Sequence, residues 1–215
     1  MAQIDRLFLF PLPDVQLFPH ALLPLHVFEP RYRVMTRDCL ASSRRMALGT
    51  LEPGFEADYE GRPPVKAVCG MGEIVAHHRH PDGRHEILLR GVGRVRLIEE
   101  LPPDQPYRLA RAEILDDVYR PGADLSLASQ SLVALCDRLA MALPTGGQTL
   151  RSLARKQDDP AATVDLLAAA LVTDPEARQS LVELLDVAER FDRVAEVVAG
   201  VLQRLDEARG TSTRN

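Results

Sequence analysis

Apolar and polar positions along this chain follow two rhythms, and the change comes near Arg120. Before it, the apolar runs are short and broken by proline and glycine. Arg6–Phe10, Leu22–Phe28, Met46–Leu51, Val65–His78, Arg84–Ile98 and Tyr107–Leu115 read as strands. Pro30 is preset for a first helical turn, and Tyr32, Val34, Met35, Cys39 and Leu40 carry an apolar stripe to about Ala41. His80-Pro81-Asp82-Gly83 is a turn sequence and makes the fourth and fifth strands a long hairpin. Gly91 and Gly93 mark a bulge or sharp bend where the fifth strand turns a barrel corner.

After Arg120-Pro121-Gly122 the period moves from two toward 3.6. The expected helices are Leu125–Leu143, Thr149–Lys156, Pro160–Val172, Pro175–Leu185 and Val187–Ala208. Asp159-Pro160 and Asp174-Pro175 are start signals, with aspartate as N-cap and proline at the first helical position. Asp186 and Glu189 have the spacing of a capping box. Val187, Phe191, Val194, Val198, Val201 and Leu205 form one seam, read first as packing on neighbouring helices, with an intermolecular coiled coil as the alternative. The expected organisation is therefore α+β: a β-barrel over residues 1–120, helices over 121–209, and a polar, disordered tail over 210–215.

The stretch Leu7–Tyr32, LFLFPLPDVQLFPHALLPLHVFEPRY, is the most specific part of the chain. Its five prolines forbid one continuous strand or helix. It resembles the opening of the N-terminal, substrate-binding domain of Lon proteases. The hairpin PDGRHEILLRGVGRVRLIEE, then YRLARAEILDD, DPAATVDLLAAAL and ARQSLVELLDVAERFDRVAEVV follow in that family's order. The resemblance implies a PUA-like pseudo-barrel followed by a helical subdomain, and a role in capturing unfolded or degron-bearing proteins. It also implies an ATP-dependent protease as a partner, with self-association as a further expectation. No G-x-x-x-x-G-K-[ST] phosphate loop is present. The sequence thus reads as a stand-alone form without the ATPase and protease domains, a protein-recognition module that is not an enzyme and needs no cofactor. The alternatives are a PUA-like RNA-binding module and an assembly or adaptor factor for an ATP-dependent protease.

Charge and composition narrow this choice. The net charge is −5, with 16 basic against 17 acidic residues up to Arg120 and 10 against 14 beyond it. Neither half has the basic surplus that phosphate neutralisation requires, so no nucleic-acid partner is expected. No secretory signal and no apolar run of membrane-spanning length is visible, which makes the cytoplasm the default compartment and gives no expectation of a membrane partner. Cys39, Cys69 and Cys136 are too widely spaced for a CxxC site and read as buried thiols.

Candidate chemistry is sparse. The serines of the helical half have no glycine-framed elbow, and Glu99-Glu100, Asp116-Asp117 and Asp158-Asp159 fall at element ends, where capping or solvated acids are normal. The densest cluster, His77, His78, His80 and His85, reads as a solvated hairpin, with a divalent metal held by His77, His80 and His85 as the alternative. For peptide recognition three places stand out: Leu17 and Phe18 in an unusually apolar loop, Phe55 and Tyr59 in a polar one, and Arg94 with Arg90 and Arg96 on one strand face. The client would lie in a groove on the barrel or between barrel and helices.

Overall fold

The computed structural model describes residues 2–155 and 159–212. The chain divides between Asp116 and Asp117 into two units. The expected helix end at Lys156, the carboxylate of Asp158 and the last three residues lie outside the described residues.

The first unit holds β1 (Gln3–Leu12), β2 (Leu22–Val27), α1 (Pro30–Leu40), β3 (Arg45–Thr50), β4 (Val68–Arg79), β5 (His85–Glu100) and β6 (Arg108–Leu115). The strand order is β2-β5-β4-β3-β1-β6, and a further pairing of β5 with β6 closes five of the strands into a ring. β1 and β3 run parallel, joined through β2 and α1, and the other pairs are antiparallel.

β5 makes this closure possible because it changes partner halfway. Its first part, to Arg90, pairs with β2, and its second part, from Arg94, pairs with β6. The change falls at the two glycines. Met71 stands opposite Gly93 and Gly72 opposite Gly91, so Val92 is the extra residue of a bulge. A Cβ on Gly91 would lie 2.0 Å from the Phe18 carbonyl oxygen, and one on Gly70 would lie 1.9 Å from that of Leu17. Both positions therefore require glycine to let the β1–β2 loop lie across the sheet. That loop is then sewn down: the backbone N–H of His20 donates to the Gly91 carbonyl and that of Gly91 to the Ala21 carbonyl, each at 2.9 Å. His20 takes a φ of 64° to do so.

One core cluster joins Phe8, Phe10, Leu17, Val27, Tyr32, Met35, Met46, Ile74, Leu89 and Leu109; a second joins Leu7, Leu9, Ala47, Cys69, Met71 and Val95. Alternate residues of β1 feed the two, as the two-residue period of a strand requires.

The second unit contains α2 (Leu125–Ala142), α3 (Gly147–Ala154), α4 (Pro160–Leu171), α5 (Pro175–Glu183) and α6 (Val187–Ser212). Asp124, Asp159, Asp174 and Asp186 each accept a backbone N–H of the helix they open. Within α6, Val187, Phe191, Val194 and Val198 are fully buried, and the helix packs on α2 and α4. The seam is thus used inside the unit over these positions, while Val201 and Leu205 are half-buried. The helix continues to Ser212, so the first three residues of the expected tail are helical.

At the centre of this unit lies a buried ion network. Arg190 on α6 donates to Asp165 on α4 and to Asp117, with the Arg190 and Asp165 side chains both 1% exposed. Among the described residues, no helix is long and apolar enough to cross a membrane.

Candidate functional site

The residues singled out in the sequence have three different fates. Leu17 and Phe18 were expected to offer an exposed apolar contact; instead they are 1% and 0% exposed. The correction has a simple cause: Gly70 and Gly91 remove the side chains that would hold the loop off the sheet, and the loop closes onto the core. Arg94 was expected to meet acidic peptide groups, yet it is 2% exposed. Its neighbours on the same strand are answered internally, Arg90 by Glu73 at 3.4 Å and Arg96 by Glu113 at 3.5 Å.

Phe55 and Tyr59 do come together. They flank a single 3₁₀ turn with ring centroids 6.1 Å apart, and both are half-buried. Their position serves the loop first. The Tyr59 hydroxyl donates to Glu29 Oε1 at 2.9 Å, and Arg31 lies between the rings of Tyr32 and Tyr59, 4.7 and 5.3 Å from their centroids. Arg31 also donates to the Tyr59 and Glu60 carbonyls and to Glu29. Burial, then the bond to Glu29, raises the Tyr59 pKa above its ordinary value. This is an aromatic and cationic clasp tying a polar loop to the start of α1.

The histidines separate onto two faces. His77 Nε2 lies 2.9 Å from His85 Nδ1, and His85 is buried. Burial comes first in holding both imidazoles below their ordinary pKa, with the charges of neighbouring arginines adding to it. His80 lies elsewhere, 3.2 Å from Glu86, so the proposed triad of His77, His80 and His85 is not assembled.

Cys39, Cys69 and Cys136 are all buried. Burial pushes the pKa of Cys39 up to about 12, against the opposing charge of Arg44, and that of Cys136 up to about 11.

One open concavity lies in the helical unit. It is a groove of about 600 Å³ lined by α5 and α6. Ala177, Leu181, Leu184 and Val197 supply apolar lining, and Ser180, Glu183, Glu189, Arg193 and Glu196 supply the polar part. The arrangement follows from the caps. Asp174 starts α5 and Asp186 restarts the chain as α6 only three residues after α5 ends, so two short-linked helices present adjacent flanks. Arg193 leans on both Glu189 and Glu196, at 3.9 and 3.7 Å. Three carboxylates against one guanidinium leave the groove with an acidic margin. Such a surface can take an apolar side chain or short helix with basic neighbours.

The barrel unit has a second open surface. β2 stands at the end of the strand order, and Leu22 at its start and Phe28 just beyond its end are each 60% exposed. Pro24 between them removes a backbone donor from this edge, which blunts it for strand addition.

Comparison with known proteins agrees with this architecture. Residues 6–200 match the family of the ATP-dependent protease La (LON) substrate-binding domain. The Lon protease of Paraburkholderia phytofirmans is 28% identical across 98% of this chain and 26% of its own length; that of Roseiflexus castenholzii is 30% identical across 86% of this chain and 23% of its own. The chain spans about a quarter of the length of these curated relatives. Among solved structures, the N-terminal domain of Mycobacterium avium complex Lon protease superposes with a TM-score of 0.68 at 18% identity, covering 91% of this chain and 98% of that one. A Lon N-terminal domain protein from Xanthomonas campestris gives 0.61 at 24% identity, covering 89% and 97%. At these identities the structural likeness speaks for the fold.

Proposed function

This chain belongs to the Lon substrate-binding domain family, and we propose that it is a non-enzymatic recognition module for protein clients, binding exposed hydrophobic segments of unfolded or degron-bearing chains. The observation that carries the proposal is the groove along α5 and α6. Its apolar lining suits a leucine- or valine-sized side chain, and its excess of Glu183, Glu189 and Glu196 over Arg193 favours a segment flanked by lysine or arginine. A contact of this size gives weak, reversible capture, which suits a module that must pass its client to an ATP-dependent protease.

The acidic charge of the chain speaks against the RNA-binding alternative, since a strand of phosphates would meet a net charge of −5. The test is a titration of the purified chain into a fluorescently labelled, permanently unfolded protein, run beside a labelled single-stranded RNA. Saturable micromolar binding of the unfolded protein, weakened by substitution in the groove, supports the proposal. Saturable binding of RNA alone, or of neither probe, overturns it.

A further inference from the structure

The β4–β5 hairpin carries a second chemical feature, on the face opposite the His77–His85 pair. In the sheet register His26 of β2 stands directly opposite Glu86 of β5, and Glu86 stands directly opposite His78 of β4. Directly opposed residues on adjacent antiparallel strands project from the same face. His26, Glu86 and His78 therefore form a row across three strands, and His80 joins it two positions beyond His78.

The side chains converge further than register alone requires. His26, His80 and Glu86 each bring one ligand atom to within 4.8 Å of the others. His80 Nε2 lies 3.2 Å from Glu86 Oε1, yet it is shut off from solvent and has no aligned hydrogen-bond partner. A buried ring nitrogen without a bond is costly. The rings of His26 and His80 have centroids 6.1 Å apart, and His78 meets His80 edge-on at 4.8 Å.

We propose that His26, His80 and Glu86 form a binding site for a divalent transition cation of the zinc type, with His78 poised as a fourth ligand. Two imidazoles and one carboxylate are the donor set of an open tetrahedral zinc site. They are a poor set for magnesium or calcium, which require oxygen donors. Bonds of about 2.0–2.2 Å to a common tetrahedral centre place ligand atoms roughly 3.4 Å apart. His26 and Glu86 are both exposed and so have room to rotate, which is how the cation would draw the ligand atoms to that separation. The cation would give the His80 nitrogen its missing partner. It would also clip the outermost strand to the hairpin at a point 60 residues away in sequence, from His26 to Glu86.

The experiment is isothermal titration of Zn²⁺ into the chain carrying no affinity tag, with Co²⁺ absorption as an independent report of coordination geometry. One equivalent is expected to bind, with a Co²⁺ spectrum of tetrahedral intensity. H26N and H80N should each weaken binding by at least the roughly tenfold that loss of a ligand's supporting hydrogen bond produces. H77N, on the other face, should leave it unchanged. Far-UV circular dichroism checks that each variant keeps its fold. Absence of a saturable equivalent overturns the site, and so does binding that survives H26N and H80N but is lost in H77N.

Discussion

Arg190 and Asp165 meet side by side with neither exposed to solvent, and their pairing joins the first turn of α6 to the middle of α4. Asp117 shares the same guanidinium. Removing the arginine alone would take a charge partner away from a buried carboxylate, so R190M should cost about 3–5 kcal/mol in urea denaturation. R190M combined with D165L should recover much of that loss, because an apolar pair of similar volume has no desolvation penalty. If the double variant is no more stable than R190M, Asp165 is held by groups other than Arg190.

The glycines at the bend of β5 make a paired prediction. G91A forces a Cβ against the Phe18 carbonyl oxygen, whereas the nearest atom to a Cβ at Gly93 is Met71 Cε at 4.0 Å. G91A should destabilise by about 1–3 kcal/mol. G93A should be tolerated or slightly stabilising, since alanine is better than glycine inside a strand by about 0.5–1 kcal/mol. Thermal melts of the two variants give the comparison directly.

Glu100 predicts how the fold responds to acid. Burial acts to raise its pKa, but hydrogen bonds and charge from Arg108, then Arg62, outweigh burial and hold it below the ordinary value of 4.5. A carboxylate with a depressed pKa in the folded state adds stability that is present above its unfolded value and lost as pH falls through its folded one. Urea midpoints measured from pH 7 to pH 3 should therefore decline below about pH 4.5. E100Q should be less stable than the parent at pH 7 and should lose part of that decline.

For client binding, L184D and V197D place a charge in the apolar lining of the α5–α6 groove and should raise the Kd for an unfolded protein. The expected change is about 1–2 kcal/mol, or roughly five- to thirtyfold. L22D, on the exposed edge of the barrel, should have no effect. The opposite pattern would move the client from the helical unit to β2.

What could be read from the sequence, and what could not, divides by distance along the chain. The aspartate caps, the β4–β5 hairpin and the glycine bend are local, and their residues announce them within a few positions. The burial of Leu17 and Phe18 depends on glycines more than fifty residues away, so an apolar loop looked like an exposed one. His26 is hidden for the same reason: nothing near it in sequence shows that β2 pairs with β5 and sets it against Glu86. The groove lay beyond reach altogether. Its lining comes from flanks that α5 and α6 leave free once their buried stripes are used, and only the packing determines which flanks those are.

The ring of strands has a consequence for synthesis. β6 sits between β1 and β5, the first and the fifth strands to leave the ribosome, and both wait for it. Until residues 108–115 emerge, each has an unpaired edge that can recruit another chain. A nascent or truncated chain stopping short of Arg108 is thus exposed to sheet-to-sheet association. The finished barrel hides from solvent the same two edges that its unfinished form displays.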